Sequence, residues 1–141
     1  MAFEIRKSQD APYYLQKGKP KKSKDYLAFL HLLPCVVTGT RANIQAAHVS
    51  FANIPLGHYG RGKGTKAPDR WALPLCAEEH ARQHSMSEET YWRSVGIDPH
   101  QLALIIHGLW TDHGDDAVPR AEIAINQALA KAARLRSKEV V

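Results

Sequence analysis

Cysteine is scarce in this 141-residue chain, which has only Cys35 and Cys76. Two thiols cannot staple a disulfide scaffold, so the fold has to rest on an apolar core. The pair reads as free thiols or metal ligands, with a Cys35–Cys76 disulfide the lesser alternative. Long hydrophobic runs are missing too: no stretch of about 18 apolar residues escapes a charge, which excludes a membrane-spanning helix. The first ten residues carry Glu4, Arg6, Lys7 and Asp10 and lack the apolar centre of a secretory signal, so a cytoplasmic protein is expected. Acidic charge is in deficit, with 14 Asp and Glu against 19 Lys and Arg, a net charge of +5 and a pI near 9.3. Such a balance favours a polyanionic partner, because a positive field attracts phosphate backbones, but many basic proteins bind none. Internal repeats are absent.

What is present suits one compact domain, or one small domain with appendages, since 44% of the residues are hydrophobic. Residues 1–24 read as a basic arm, with five lysines in Lys17-Gly18-Lys19-Pro20-Lys21-Lys22-Ser23-Lys24. A tail along DNA phosphates and a solvated linker fit it equally well. Ser23 is placed to cap a helix running from Asp25 to Leu33 and stopped by Pro34, with His31 structural. Cys35 to Gly39 reads as a turn, Ile44 to Val49 as a short strand bearing His48 at its end, and Trp71 to Cys76 as a second strand. Between the strands, Gly57, Gly60, Gly62 and Gly64 alternate with Arg61, Lys63 and Lys66, with Arg70 just beyond. A loop of this length is usually functional or mobile, and glycines with interleaved cations suit close approach to phosphate.

Four helices are expected downstream: from Ala77, with Glu78 and Glu79 in its first turn; from Glu88 to Ser94 behind a Ser87 cap; from His100 to Trp110 behind Asp98-Pro99; and an Ala-rich helix opened by Asp116 and Pro119 and running to about Arg136. Ile123, Leu129 and Ala133 are expected to form the apolar stripe of the last helix, for packing or oligomerisation.

The strongest local signal for chemistry is Cys76-Ala77-Glu78-Glu79-His80-Ala81-Arg82-Gln83-His84. Residues four apart share a helix face, so His80 and His84 can reach one divalent ion. Alone, the pair is equally consistent with two surface histidines. Ala81 stands where a zinc-peptidase signature needs its glutamate, which argues against that class. A histidine on a strand, then a glycine-rich loop, then a strand entering a two-histidine helix describes a strand–strand–helix metal site. Phosphodiester hydrolysis needs those parts: a base to deprotonate water and a cation to stabilise charge on phosphate. His48 suits the base because imidazole titrates near neutrality; without the downstream pair, a structural histidine would be preferred.

The run Leu33-Pro34-Cys35-Val36-Val37-Thr38-Gly39, followed by Ala46-Ala47-His48-Val49, Gly62 to Asp69, Pro74-Leu75-Cys76, His80 and Gln83-His84-Ser85-Met86, resembles phage and prophage HNH nucleases. The nearest group is the Ref-like recombination-enhancement nucleases and their relatives. Similarity spans roughly residues 27 to 98. The resemblance implies an α+β fold with a small ββα-metal, treble-clef-like core over 25–98, between the basic arm of 1–24 and a C-terminal helical extension of 99–141. It implies a metal-dependent DNA endonuclease with His48 as general base and His80 and His84 as metal ligands. Asp69 lies near the middle polar position, which orients the base or helps to hold the metal, although Trp71 competes for that alignment. Arg61, Lys63, Lys66 and Arg70 are the candidate DNA contacts. The cofactor would be a divalent ion, Mg²⁺, Mn²⁺, Ni²⁺ or Zn²⁺; the partners would be DNA and a phage or host recombination protein, in a bacterial cytoplasm and away from membranes.

Two departures stand out. Ala47 replaces the Asp or His that often precedes the base and binds metal, so the ion would rely on fewer protein ligands, or on Asp69 or His58. Of two Cys-x-x-Cys knuckles only Cys35 and Cys76 remain, with Thr38 and Glu79 at the second positions; buried structural thiols are expected rather than a four-cysteine zinc site. These departures keep open a catalytically inactive nucleic-acid-binding module of the same fold. A plain helical interaction protein is the remaining reading.

Overall fold

Ile44–His48 forms strand β1 and Ala72–Cys76 forms strand β2, paired antiparallel with Ile44 opposite Cys76 and His48 opposite Ala72. The computed structural model describes residues 23–61 and 66–139, within which this hairpin is joined by five α-helices in an α+β arrangement. β1 begins after Asn43, whose φ of 54° turns the chain into the strand. The Asn43 carbonyl accepts the Ala77 N–H at 2.9 Å, tying the entry of β1 to the exit of β2. Every residue of β2 is buried, as its unbroken apolar run requires. Pro74 is tolerated there because a two-stranded sheet has only edge strands, and its carbonyl accepts the Val36 N–H at 3.0 Å.

Helix α1, Ser23–Leu30, closes earlier than its apolar pattern suggests. Ser23 is the first described residue of the helix instead of a cap outside it. The three residues after Leu30 make i to i−3 bonds, His31 to Ala28, Leu32 to Phe29 and Leu33 to Leu30, so the last turn tightens ahead of Pro34. α2, Ala77–His84, starts on the residue after β2, and Cys76 is at once the last strand residue and the helix cap. No connector separates hairpin from helix, so the side chains of α2 inherit the register of β2. α3 is Glu88–Val95, α4 is Pro99–His113 and α5 is Val118–Glu139. The Ser87 side chain accepts from the Thr90 N–H and the Asp98 side chain from the Gln101 N–H, satisfying donors left open at helix starts.

One buried cluster gathers Tyr26 and Phe29 of α1, Leu73 and Leu75 of β2, Trp92 of α3, Ile106 and Trp110 of α4, and Ile125 and Ala132 of α5. Of the expected stripe of α5 only Leu129 packs against the core, where it is half-buried. Ala121, Ile125 and Ala132 are buried whereas Ile123 is 58% exposed and Ala133 is exposed. Small side chains win this face because α5 lies close to its neighbours: a Cβ at Gly96 would stand 3.5 Å from Ala132. No helix among the described residues is long and apolar enough to cross a membrane. The arm of residues 1–22 and the loop tip 62–65, which includes Lys63, lie outside the described residues.

Candidate metal and nucleic-acid site

The far end of β1 carries His48, half-buried, and the turn before β2 carries Asp69. His48 Nε2–H donates to Asp69 Oδ1 at 2.7 Å. That bond selects the tautomer: with the proton on Nε2, the lone pair of the neutral ring lies on Nδ1. Ala47, the preceding residue, is fully buried opposite Leu73, so the position before His48 faces packing instead of a ligand site.

α2 packs back along the hairpin and brings its two histidines toward β1. His80 Nδ1–H donates to the side-chain oxygen of Gln45 at 2.7 Å, and His80 Nε2 lies 3.0 Å from His84 Nε2. With its proton committed to Gln45, His80 accepts at Nε2 from His84. The His80 pKa lies below the ordinary imidazole value because burial disfavours the cation, with the charges of His84 and His48 adding to the effect.

Two imidazole nitrogens 3.0 Å apart are within the span of two metal–nitrogen bonds of about 2.1 Å each, and His80 already holds its second nitrogen protonated toward an oxygen acceptor, the usual arrangement of a ligating histidine. The donor set therefore fits a divalent ion bound by two protein ligands and solvent. Among the described residues, no group of three or more His, Cys, Asp or Glu side chains is gathered that could hold a metal. His58 does not add a ligand. It is 1% exposed, its Nε2–H donates to Val49 O at 2.7 Å and its Nδ1 accepts the Gly60 N–H at 2.9 Å, so both ring nitrogens are used in shaping the loop after β1. Asp69, the other alternative, is engaged with His48.

The two thiols are free and buried. Burial raises the Cys35 pKa, but the Thr38 hydroxyl and the N–H groups of Cys76, Thr38 and Val37 stabilise the thiolate, and the balance falls below the ordinary thiol value. Thr38 Oγ1 lies 3.9 Å from Cys76 Sγ. Glu79, three residues after Cys76, accepts from the Tyr91 hydroxyl at 2.6 Å and pairs with Arg82 at 3.4 Å. Thr38 Oγ1 also accepts from the Thr40 N–H at 3.3 Å, so Thr38 and Glu79 are each engaged in hydrogen bonds of their own.

Of the candidate phosphate contacts, Arg61, Lys66 and Arg70 are exposed. Arg70 directly follows Asp69, and its guanidinium lies 5.6 Å from the Trp71 ring centroid. It also lines a cleft of about 430 Å³ with Asp69, Tyr26 and His107.

Two residues escaped sequence reasoning. Gln45 is one; an offset of three from His48 puts them on opposite faces of a regular strand, so alternation gives no reason to join them. The other is Glu88, whose Oε2 accepts the Ser50 N–H at 2.9 Å and fastens the chain just beyond His48. It sits in the first turn of α3, where a carboxylate is already explained by the helix dipole.

Residues 3–108 match the family model described as "Protein of unknown function (DUF968)". The chain belongs to the DUF968 family. No curated protein and no solved structure matches it. The DUF968 match contains the whole hairpin, α2 and α3, and ends inside α4, so the His48–Asp69 pair, Gln45 and the His80–His84 pair all fall within it.

Proposed function

We propose that this protein is a metal-dependent DNA endonuclease of the HNH type, built on a ββα-metal core. The observation that carries the reading is a carboxylate-oriented imidazole, His48 bonded to Asp69, at the end of β1 and a pair of helical imidazoles, His80 and His84, 3.0 Å apart on α2 of the same strand–strand–helix unit. His48 Nδ1 is left to accept a proton from a water molecule, while Asp69 holds the ring and stabilises the imidazolium that forms. His80 and His84 would hold the divalent ion, which when bound polarises the phosphate and stabilises charge on the departing oxygen. Arg61, Lys66 and Arg70 supply exposed cations for the sugar–phosphate backbone, and the net charge of +5 favours a polyanionic substrate. The HNH resemblance of the sequence, which spans these same residues, supports the same chemistry.

The lack of a third protein ligand among the described residues favours a second reading, a DNA-binding module of this fold that leaves its substrate intact. Incubating supercoiled plasmid with the metal-stripped protein and Mg²⁺, Mn²⁺, Ni²⁺ or Zn²⁺ separates the two. Nicked or linear product with at least one ion, abolished by chelator, is expected for the nuclease. Salt-sensitive binding with no product under any ion is the signature of the module.

A further inference from the structure

We propose that Gln45 is a positioning residue for the metal, fixing His80 in the tautomer whose Nε2 lone pair faces His84; this rests on the reading of His80 and His84 as metal ligands. Neutral imidazole left to itself prefers its proton on Nε2, which would block the nitrogen that faces His84. A side-chain amide oxygen has lone pairs and no proton to offer, so presented 2.7 Å from His80 Nδ1 it favours the opposite tautomer. The acceptor is also held in place. Gln45 is paired opposite Leu75 in the hairpin, and β2 passes directly into α2, so ligand and acceptor are fixed to the two strands of one ladder. β1 thus performs two tasks, presenting the base at His48 and orienting the helical ligand from Gln45. Packing does not account for the residue: Gln45 is exposed, between buried Ile44 and half-buried Ala46.

Partners that orient a metal-bound histidine typically contribute about 10- to 100-fold in metal affinity. The test uses the full chain with Ni²⁺ alone, followed by calorimetry, in four forms: parent, Gln45→Leu, Gln45→Glu and His84→Ala. In parallel, ¹⁵N NMR of the imidazoles reads the His80 tautomer in metal-free protein. The expectation is an Nδ1-protonated His80 in the parent, a shift toward Nε2 protonation in Gln45→Leu, and Ni²⁺ affinity reduced by about 10- to 100-fold in that variant. Gln45→Glu keeps an oxygen acceptor and should retain both the tautomer and the affinity. Because Gln45 is exposed, its replacement leaves the buried cluster intact, and an unchanged melting profile checks this. If His84→Ala loses Ni²⁺ while Gln45→Leu matches the parent in affinity and tautomer, the role of Gln45 is overturned and the metal site stands. If the parent shows no His84-dependent Ni²⁺ binding, the metal site and the inference fall together.

Discussion

His48 Nε2 and Asp69 Oδ1 are 2.7 Å apart, although 21 residues separate them in the chain. The bond joins the end of β1 to the turn that opens β2 and leaves the second imidazole nitrogen, Nδ1, for the proposed base. Asp69→Ala should therefore lower the cleavage rate without unfolding the protein, by no more than the roughly 10²- to 10⁴-fold attributable to general-base assistance. Asp69 is 31% exposed, so its removal leaves no buried charge unpaired. Single-turnover rates beside a thermal melt would check this, and an unchanged rate would remove Asp69 from the site.

The pH dependence of stability follows from the half-buried histidines. Burial first, then the charge of Arg70, pulls the His107 pKa below 6.5, and His80 is lowered in the same direction. Between the folded and unfolded values the unfolded chain binds more protons, so acidification favours unfolding. This contribution to stability is complete above about pH 6.5 and declines below it. Melting temperature should fall as pH is taken from 7.5 to 5.5. His107→Phe retains an aromatic ring beside Tyr26, whose ring centroid is 4.8 Å away, and should flatten part of that fall. An identical slope in parent and variant would refute the assignment.

Chelation should leave the fold standing. Cys35 and Cys76 are buried free thiols, and Thr38 and Glu79, three residues after each, make hydrogen bonds of their own. Protein treated with a strong chelator is expected to keep its far-UV circular dichroism and its cooperative melt. Collapse on chelation would mean that a structural metal holds the two thiols.

Much of this architecture was legible in residue order. The two strands, the helix beginning at Ala77 and the caps at Ser87 and Asp98 follow from short apolar runs and capping chemistry, which act within a few residues. The stripe of α5 was legible only at Leu129, because the choice of Ala121, Ile125 and Ala132 over Ile123 and Ala133 is made by how closely the helix approaches Gly96. His58 illustrates the same limit. Its place in a glycine-rich loop suggested a ligand, whereas burial against Trp71 and His100 turned it into a scaffold. Gln45 was invisible because its partner lies 35 residues away on α2.

Salt dependence tests the polyanion contacts. Arg70 is exposed beside Asp69, so Arg70→Ala should weaken DNA binding and reduce the slope of log affinity against log salt by about 1. A fluorescence anisotropy titration at several salt concentrations gives that slope, and a variant with the parent's slope would place Arg70 away from the phosphates.

The proposed division of labour between His48 and the His80–His84 pair is tested most directly by plasmid cleavage with His48→Ala, with divalent-metal affinity measured on the same preparation. The variant should bind the ion as the parent does and cut slower by about 10²- to 10⁴-fold. Cleavage at the parent's rate by a fully folded, metal-loaded His48→Ala protein would contradict the account.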